Sequence, residues 1–402
     1  MKKTKLLITS VCMQIGGIER SLIELLQAID PARFDVALFL FSHTGPLMNE
    51  IPPHVRLLPE NEKLATLLKP IKHILLRHPL LAGARLLAKV RLKCRFAGRK
   101  ADEDQMTFAN LQYYWDLLTP LFPPLDGDYD AVISFQWPHH YAAARVSAKR
   151  GIAFVHTDHR AGVYDMPKER AVWSRFGAIA CVSADVKASF SQLHPPLAER
   201  CFVFENLLNP TAVKQKANAF MPTDMLCYNT ARRLLTVGRY SHAKAFDNAV
   251  RICKYLRGAG LDIVWFAIGY GGLEEELRRM IAMEHLESHF ILLGKKENPY
   301  PYMRACDLYV QPSRYEGRSV AVLEALTLGK PIVLTDFPTA SAHIQNGETG
   351  LIVPMDTQKA AAAIGNLLKD PAQMQTLAQN AARSDVSGYA QLPALYAELE
   401  GQ

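Results

Sequence analysis

An α/β chain built of two Rossmann-like, doubly wound domains is predicted by three features. The chain has 402 residues, 49% of them apolar, enough to bury a large core and long enough for that core to split in two. Short β-branched runs alternate with longer stretches of helical periodicity, as buried parallel strands joined by crossover helices do. That alternation runs through the sequence twice, with a break between the two series.

The first series of predicted strands is Leu6–Thr9, Asp35–Phe41, Ala131–Ser134, Ile152–Val155 and Ala178–Val182. The second is Leu234–Val237, Asp262–Ile268, Phe290–Leu293, Leu308–Val310, Pro331–Leu334 and Gly350–Val353. Between them an apolar run, Phe202–Phe204, ends in Asn206, Asn209 and Pro210, and weakly patterned residues continue to about Ala231. The expected boundaries are therefore residues 1–209 for the first domain and 210–386 for the second, with a helix in 387–402 returning to the first.

Seven cysteines stand singly, none at metal-ligand spacing, which suits reduced thiols in the cytosol. The basic start, Met1 to Lys5, and the short apolar run behind it are interrupted by Thr9, Ser10 and Gln14, with no small-residue cleavage site, so a first strand is expected rather than a signal peptide. No run of 18 uninterrupted apolar residues occurs. The formal charge of +7 is local: eleven Lys or Arg and no Asp or Glu lie between Lys63 and Ala101.

Two segments carry the chemistry. Tyr315-Glu316-Gly317-Arg318-Ser319-Val320-Ala321-Val322-Leu323-Glu324-Ala325 follows a predicted strand and Gln311-Pro312-Ser313, and runs into a helix stopped by Gly329 and Pro331. A strand-loop-helix junction offers unpaired amides and the positive end of the helix dipole to an anion such as a diphosphate. Glu316 and Glu324 are eight residues apart; on a continuous helix the rise of about 1.5 Å per residue would separate them by roughly 12 Å. That is the scale of a nucleotide sugar, one carboxylate for sugar hydroxyls and the other for the ribose. The plain alternative is two solvated glutamates on one helix. The second segment, Val237-Gly238-Arg239-Tyr240-Ser241-His242-Ala243-Lys244-Ala245-Phe246-Asp247, places a planar fork and a point charge after a glycine turn, a suitable pair for a pyrophosphate; its plain alternative is a loop with two surface cations.

Together these residues resemble the retaining GT-B glycosyltransferases of family 4. That resemblance covers nearly the whole chain. It implies two Rossmann-like domains facing a central cleft, with acceptor binding in the first and the nucleotide sugar in the second. In the family an Arg and a Lys in a Gly-Arg-x4-Lys-Gly-x-Asp stretch hold the diphosphate; Arg239 and Lys244 match, while Ala245 stands where the glycine is usual. The family's two glutamates match Glu316 and Glu324, and Gly16-Gly17-Ile18-Glu19 is similar to its glycine-rich N-terminal loop. The Glu-Gly-Arg-Ser-Val variant resembles members that assemble capsule, lipopolysaccharide or other surface polysaccharide, with a hexosyl or N-acetylhexosaminyl group as cargo. The resemblance gives Glu316 to the donor sugar, Glu324 to the ribose, the amides at Ser319 and Val320 to the diphosphate, and the loop containing Lys295 to the nucleobase. The resemblance also implies a histidine facing the reacting sugar at the strand end Phe154-Val155-His156-Thr157-Asp158-His159, with His156 the first candidate and His159 the second; the structural alternative is a hydrogen-bonded core histidine.

Gly269 in Ile268-Gly269-Tyr270-Gly271-Gly272 reads as a tight turn near the donor, since the full Gly-x-Gly-x-x-Gly spacing is absent. Asp126-Gly127-Asp128 imitates a metal-binding Asp-x-Asp but reads as a turn. No metal and no cofactor is expected, Arg239, Lys244 and the helix start supplying the positive field. Residues 63–100 interleave leucines with cations, which suits an anionic membrane surface. An ordinary solvated helix pair is the rival. Nucleic acid is not expected, because Phe96 is the one aromatic side chain in the segment. The expectation is a cytoplasmic enzyme, peripheral on the inner face of the membrane, using a glycan or glycolipid acceptor. A GT-B nucleotide-sugar epimerase and a non-catalytic partner subunit are the alternatives.

Overall fold

The computed structural model describes residues 3–96 and 103–401. They form two compact units, Met1–Glu205 with Tyr389–Gln402, and Asn206–Gly388. The divisions thus fall at 205/206 and 388/389, where the sequence placed them at 209/210 and 386/387. Asn209 does not end a domain: its side chain accepts from the Ala212 amide and starts the helix Pro210–Lys216 of the second unit.

The first unit holds seven strands: β1 (Thr4–Ser10), β2 (Phe34–Leu40), β3 (Arg56–Leu57), β4 (Asp128–Ser134), β5 (Ser147–Val155), β6 (Ala178–Cys181) and β7 (Cys201–Val203). Their order is β3-β2-β1-β4-β5-β6-β7, all parallel, with Leu7 beside Ala37 on one side and Val132 on the other. The two-residue β3 was not foreseen; Arg56–Leu57 is too short to show a period. The Asp-Gly-Asp triplet is a turn into β4: Gly127 has φ +102° and Asp128 accepts a hydrogen bond from Ser147.

The second unit holds β8 (Arg232–Val237), β9 (Ile263–Ile268), β10 (Phe290–Gly294), β11 (Leu308–Gln311), β12 (Ile332–Thr335) and β13 (Leu351–Val353), in the order β10-β9-β8-β11-β12-β13, again all parallel. Successive residues feed two separate cores. Leu235, Phe266, Tyr309, Ile332 and Leu334 enter one cluster, while Leu234, Trp265, Leu308, Val310 and Val333 enter the other. Alternation along a pleated strand explains this, and burial on both faces explains why the strands read as unbroken apolar runs.

In each unit the chain builds outward from a central strand in one direction and then in the other. The order reverses between β1 and β4, and again between β8 and β11. Such reversals splay the loops at the strand C-terminal ends and open a crevice for ligands. The helix Leu392–Glu400 packs on the first unit, where Tyr396 OH accepts from the Asp30 amide and donates to the Ala28 carbonyl, and Glu400 pairs with Arg33.

Candidate active site

The loop after β8 and the loop after β11 leave the second sheet at its reversal point. The first continues through Gly238 and Arg239 into a short 3-10 turn, His242–Lys244, and then the helix Phe246–Gly258. The second runs from Gln311 through Glu316 to the helix Val320–Thr327. Lys244 Nζ lies 2.6 Å from each oxygen of the Glu316 carboxylate. Ser313 Oγ donates to the same carboxylate at 2.6 Å and Gln311 Nε2 at 3.3 Å, while Tyr309 OH orients Gln311. The Glu316 side chain is 6% exposed, so these donors stand in for the water it has lost.

Further bonds stitch the two loops together. The Arg314 amide donates to the Ala243 carbonyl, and its guanidinium reaches the His242 carbonyl and both oxygens of Asp247. Burial works to raise the Asp247 pKa, but Arg314 and Arg251 outweigh it and hold the carboxyl below its ordinary range. Between Lys244 and the following helix the chain passes through Ala245 at φ 49° and ψ 45°, a left-handed conformation that costs a residue with a Cβ about 1–2 kcal/mol.

The loop after β9 supports this turn from beneath. A Cβ on Gly269 would collide with the Gly238 carbonyl oxygen, and one on Gly271 with the backbone of Tyr240. The Tyr240 amide donates to the Tyr270 carbonyl at 2.9 Å. Gly269 therefore sets how closely the two loops approach. Arg239 is exposed on this turn, with no ion-pair partner among the described residues. Lys295, also exposed, lies over the Tyr270 ring at 4.9 Å.

The separation of the two glutamates taken from a helical rise is corrected. Glu316 sits in the turn before the helix, so the helical rise does not apply between the pair. Glu324 lies on the helix, 2% exposed, and accepts a hydrogen bond from Tyr300 OH at 2.7 Å. Ser319 is the helix cap, and its amide is already taken by His343 Nε2 at 2.7 Å. The first-turn amides beyond it, at Val320 and Ala321, lie where a helix leaves its donors unpaired. Arg314, Thr339 and His343 were missed by sequence reasoning. Arg314 adjoins the Tyr-Glu-Gly motif and was readable as a partner for Asp247; no local pattern marks the other two.

In the first unit Gly16 caps the helix Gly17–Ala28, so the glycine-rich loop is in fact a helix start. A Cβ on Gly16 would collide with the Glu19 carboxylate. Ser10, at the end of β1, donates to Gln136 beyond β4, joining the loops at that sheet's reversal. His156 Nε2 donates to the Phe135 carbonyl at 2.8 Å, with its ring against Phe135 and Phe154. His159 is a core residue instead: it stacks on Tyr164 at 4.2 Å and meets Trp173 and Phe190 edge-on, and burial drives its pKa down to about 3.

Of the basic segment, Ala97–Lys100, with Arg99 and Lys100, lies outside the described residues. The helix Pro79–Arg95 buries Leu81, Ala82 and Ala88 and packs along the helix Glu103–Leu118. Its opposite face is also apolar. Leu80 is 78% exposed, and Leu86, Leu87 and Val90 are about half exposed; Leu76, just before the helix, is 94% exposed. Lys89, Arg91 and Lys93 are exposed beside them. No helix among the described residues is long and apolar enough to cross a membrane.

Residues 225–384 match the family model of glycosyl transferases group 1. The alpha-D-kanosaminyltransferase of Streptomyces kanamyceticus is 29% identical over 175 residues, 41% of this chain and 45% of that protein. A Campylobacter jejuni enzyme named as an N-acetylgalactosamine-N,N'-diacetylbacillosaminyl-diphospho-undecaprenol 4-alpha-N-acetylgalactosaminyltransferase is 32% identical over 128 residues, 32% of this chain and 34% of that one. The chain thus spans less than half the length of either relative. The crystal structure of Anabaena HepE with UDP-glucose superposes with a TM-score of 0.68 over 98% of this chain and 99% of that one, at 18% identity. The fold is therefore GT-B, two parallel-sheet Rossmann-like units, and the second unit carries the sequence pattern of the group 1 glycosyl transferases.

Two outcomes are expected. Replacing Ala245 by Gly relieves the left-handed strain, so denaturant unfolding should show a gain of about 0.5–1 kcal/mol. Burial also pushes His343 down to about 4, as it pushes His159 to about 3. Both bind protons more readily unfolded, so stability is whole above the unfolded value of about 6.5 and is lost as pH falls toward 4. The melting temperature should decline across that window, and less so in a His159→Phe variant.

Proposed function

We propose that this protein is a retaining glycosyltransferase. In this reading it moves a hexosyl or N-acetylhexosaminyl group from a nucleotide-diphosphate sugar to a membrane-associated glycan or glycolipid in surface-polysaccharide or lipopolysaccharide synthesis. The observation that carries it is the Lys244–Glu316 pair at the reversal of the second sheet, with exposed Arg239 on the same turn. Lysine has three N–H donors, and two suffice for the carboxylate, leaving charge and one donor for a phosphate oxygen.

As the bond to the leaving diphosphate stretches, negative charge grows on the phosphate and positive charge on the anomeric carbon. Arg239, Lys244 and the amides of Val320 and Ala321 stabilise the departing anion, a preorganised field that calls for no metal ion. Glu316 accepts from the hydroxyls of the donor sugar. Glu324, oriented by Tyr300, takes the ribose, and Lys295 borders the nucleobase. His156 orients the reacting sugar or the acceptor, and Gly16 and Gly17, on the same sheet edge, border the donor. The acceptor hydroxyl attacks from the face the diphosphate leaves and gives its proton to a phosphate oxygen, which retains configuration.

The undecaprenyl-linked substrate named for the Campylobacter relative supports a membrane-bound acceptor. The exposed leucine face of Pro79–Arg95 supports docking of residues 63–100 on the inner leaflet, where apolar insertion and cation–headgroup attraction add. A second copy of this chain is a poor occupant, since two such segments would bring like charges together.

A thermal-shift screen of nucleotide-diphosphate sugars should find one that raises the melting temperature, and product analysis with acceptor should then show transfer rather than epimerisation. Lys244→Ala and Glu316→Gln should each lower turnover about 10²–10³-fold, the usual effect of removing one preorganised charge or donor; activity retained in both variants sinks the assignment. Vesicles containing anionic phospholipid should retain the protein, less at high salt and less for Leu76→Gln/Leu80→Gln. Equal retention by neutral vesicles, or none by either, overturns the docking.

A further inference from the structure

We infer that His343 is a positioning residue of the donor site: through Nε2 it holds the Ser319 amide and so fixes the helix start that faces the diphosphate. The inference rests on the donor reading above and adds a residue to it.

The helix Val320–Thr327 begins without the usual device. Ser319 is its cap, yet the Ser319 side chain makes no capping hydrogen bond. The cap residue is held instead from another element. His343, in the segment after β12, is buried and lies with Nε2 2.7 Å from the Ser319 nitrogen. Its Nδ1 is 2.8 Å from the Thr339 carbonyl oxygen. A carbonyl only accepts, so Nδ1 carries the proton and Nε2 presents a lone pair to the amide. One tautomer of the neutral ring satisfies both neighbours.

Two more bonds tie the same segments. Thr339 Oγ1 donates to the Glu316 carbonyl at 3.1 Å, and Arg318 Nη1 donates to the Ala342 carbonyl at 3.3 Å. The turn Glu316–Ser319 is thus gripped at its first residue, at its cap and between them by residues 339–343. The Phe337 ring closes against His343 at 5.5 Å, edge to face. The acceptor chosen for the cap amide is uncharged. It satisfies Ser319 without placing a negative charge against the positive end of the helix, which remains for the dianionic ligand. The imidazole touches neither reacting atom in this scheme; it acts through the backbone it holds.

The test compares His343→Gln, which keeps an acceptor at the Nε2 position, with His343→Leu, which removes it. Full-length proteins are titrated with UDP and with GDP by calorimetry, their melting temperatures are measured, and the donor KM and kcat are determined with the sugar found in the screen. The Leu variant should bind the nucleotide about tenfold more weakly, the equivalent of one lost hydrogen bond, while Gln stays within about threefold of the parent. The loss should appear in the donor KM and be restored by Gln even if both variants melt earlier. Unchanged nucleotide affinity in the Leu variant overturns the inference. Equal losses in Leu and Gln that follow the fall in melting temperature also overturn it, by reducing His343 to a packing residue. A parent protein that binds neither nucleotide and responds to no donor sugar fails earlier, at the donor reading itself.

Discussion

The second unit is organised around a carboxylate taken out of water. In that setting Lys244, Ser313 and Gln311 surround the Glu316 carboxylate with donors. An ion pair with one member buried and the other partly so is a poor source of stability, since desolvation offsets much of the attraction. Its presence therefore argues for a task, and the rest of the local architecture serves to hold it. Arg314 stitches one loop to the other, Gly269 and Gly271 let the neighbouring loop slide beneath, and Ala245 accepts a strained backbone so that Lys244 can turn toward Glu316 before the helix begins.

Geometry of the sheet decides where this happens. Parallel strands put all their C-terminal ends on one edge, and only where the order reverses do adjacent loops diverge enough to admit a ligand. Lys244 follows one strand of that pair and Glu316 the other, although 72 residues separate them in the chain. The first unit repeats the arrangement with Ser10 and Gln136. There the surrounding histidines divide by environment. His156 sits at the strand end with one nitrogen on a backbone carbonyl, whereas His159, three residues on, is sealed among aromatic rings.

Much of this was legible beforehand because it depends on local rules. Strand positions follow from apolar runs, and the helix stop at Gly329 and Pro331 from backbone chemistry; Gly329 indeed has φ +62°. The motif residues Arg239, Lys244, Glu316 and Glu324 could be named from spacing and resemblance. What could not be read were relations between distant segments. Nothing near His343 announces that it meets Ser319. The distance between Glu316 and Glu324 could not be taken from a helical rise, because Glu316 lies in the turn before the helix and only Glu324 on it. The helix Pro79–Arg95 reads as amphipathic, yet it is apolar on two opposite faces, and only packing reveals which one the fold consumes.

The chain begins in one unit, builds the other, and comes back. Residues 389–402 complete the first unit, with Tyr396 and Glu400 fastened to the segment Ala28–Arg33 laid down more than 350 residues earlier. During synthesis, which proceeds from the N-terminus, those residues leave the ribosome only after the whole of 206–388. The unit made first is thus the last to be sealed. Until then the surface reserved for Leu395 and Leu399 stays open on the nascent chain, while the later-made unit is already free to fold.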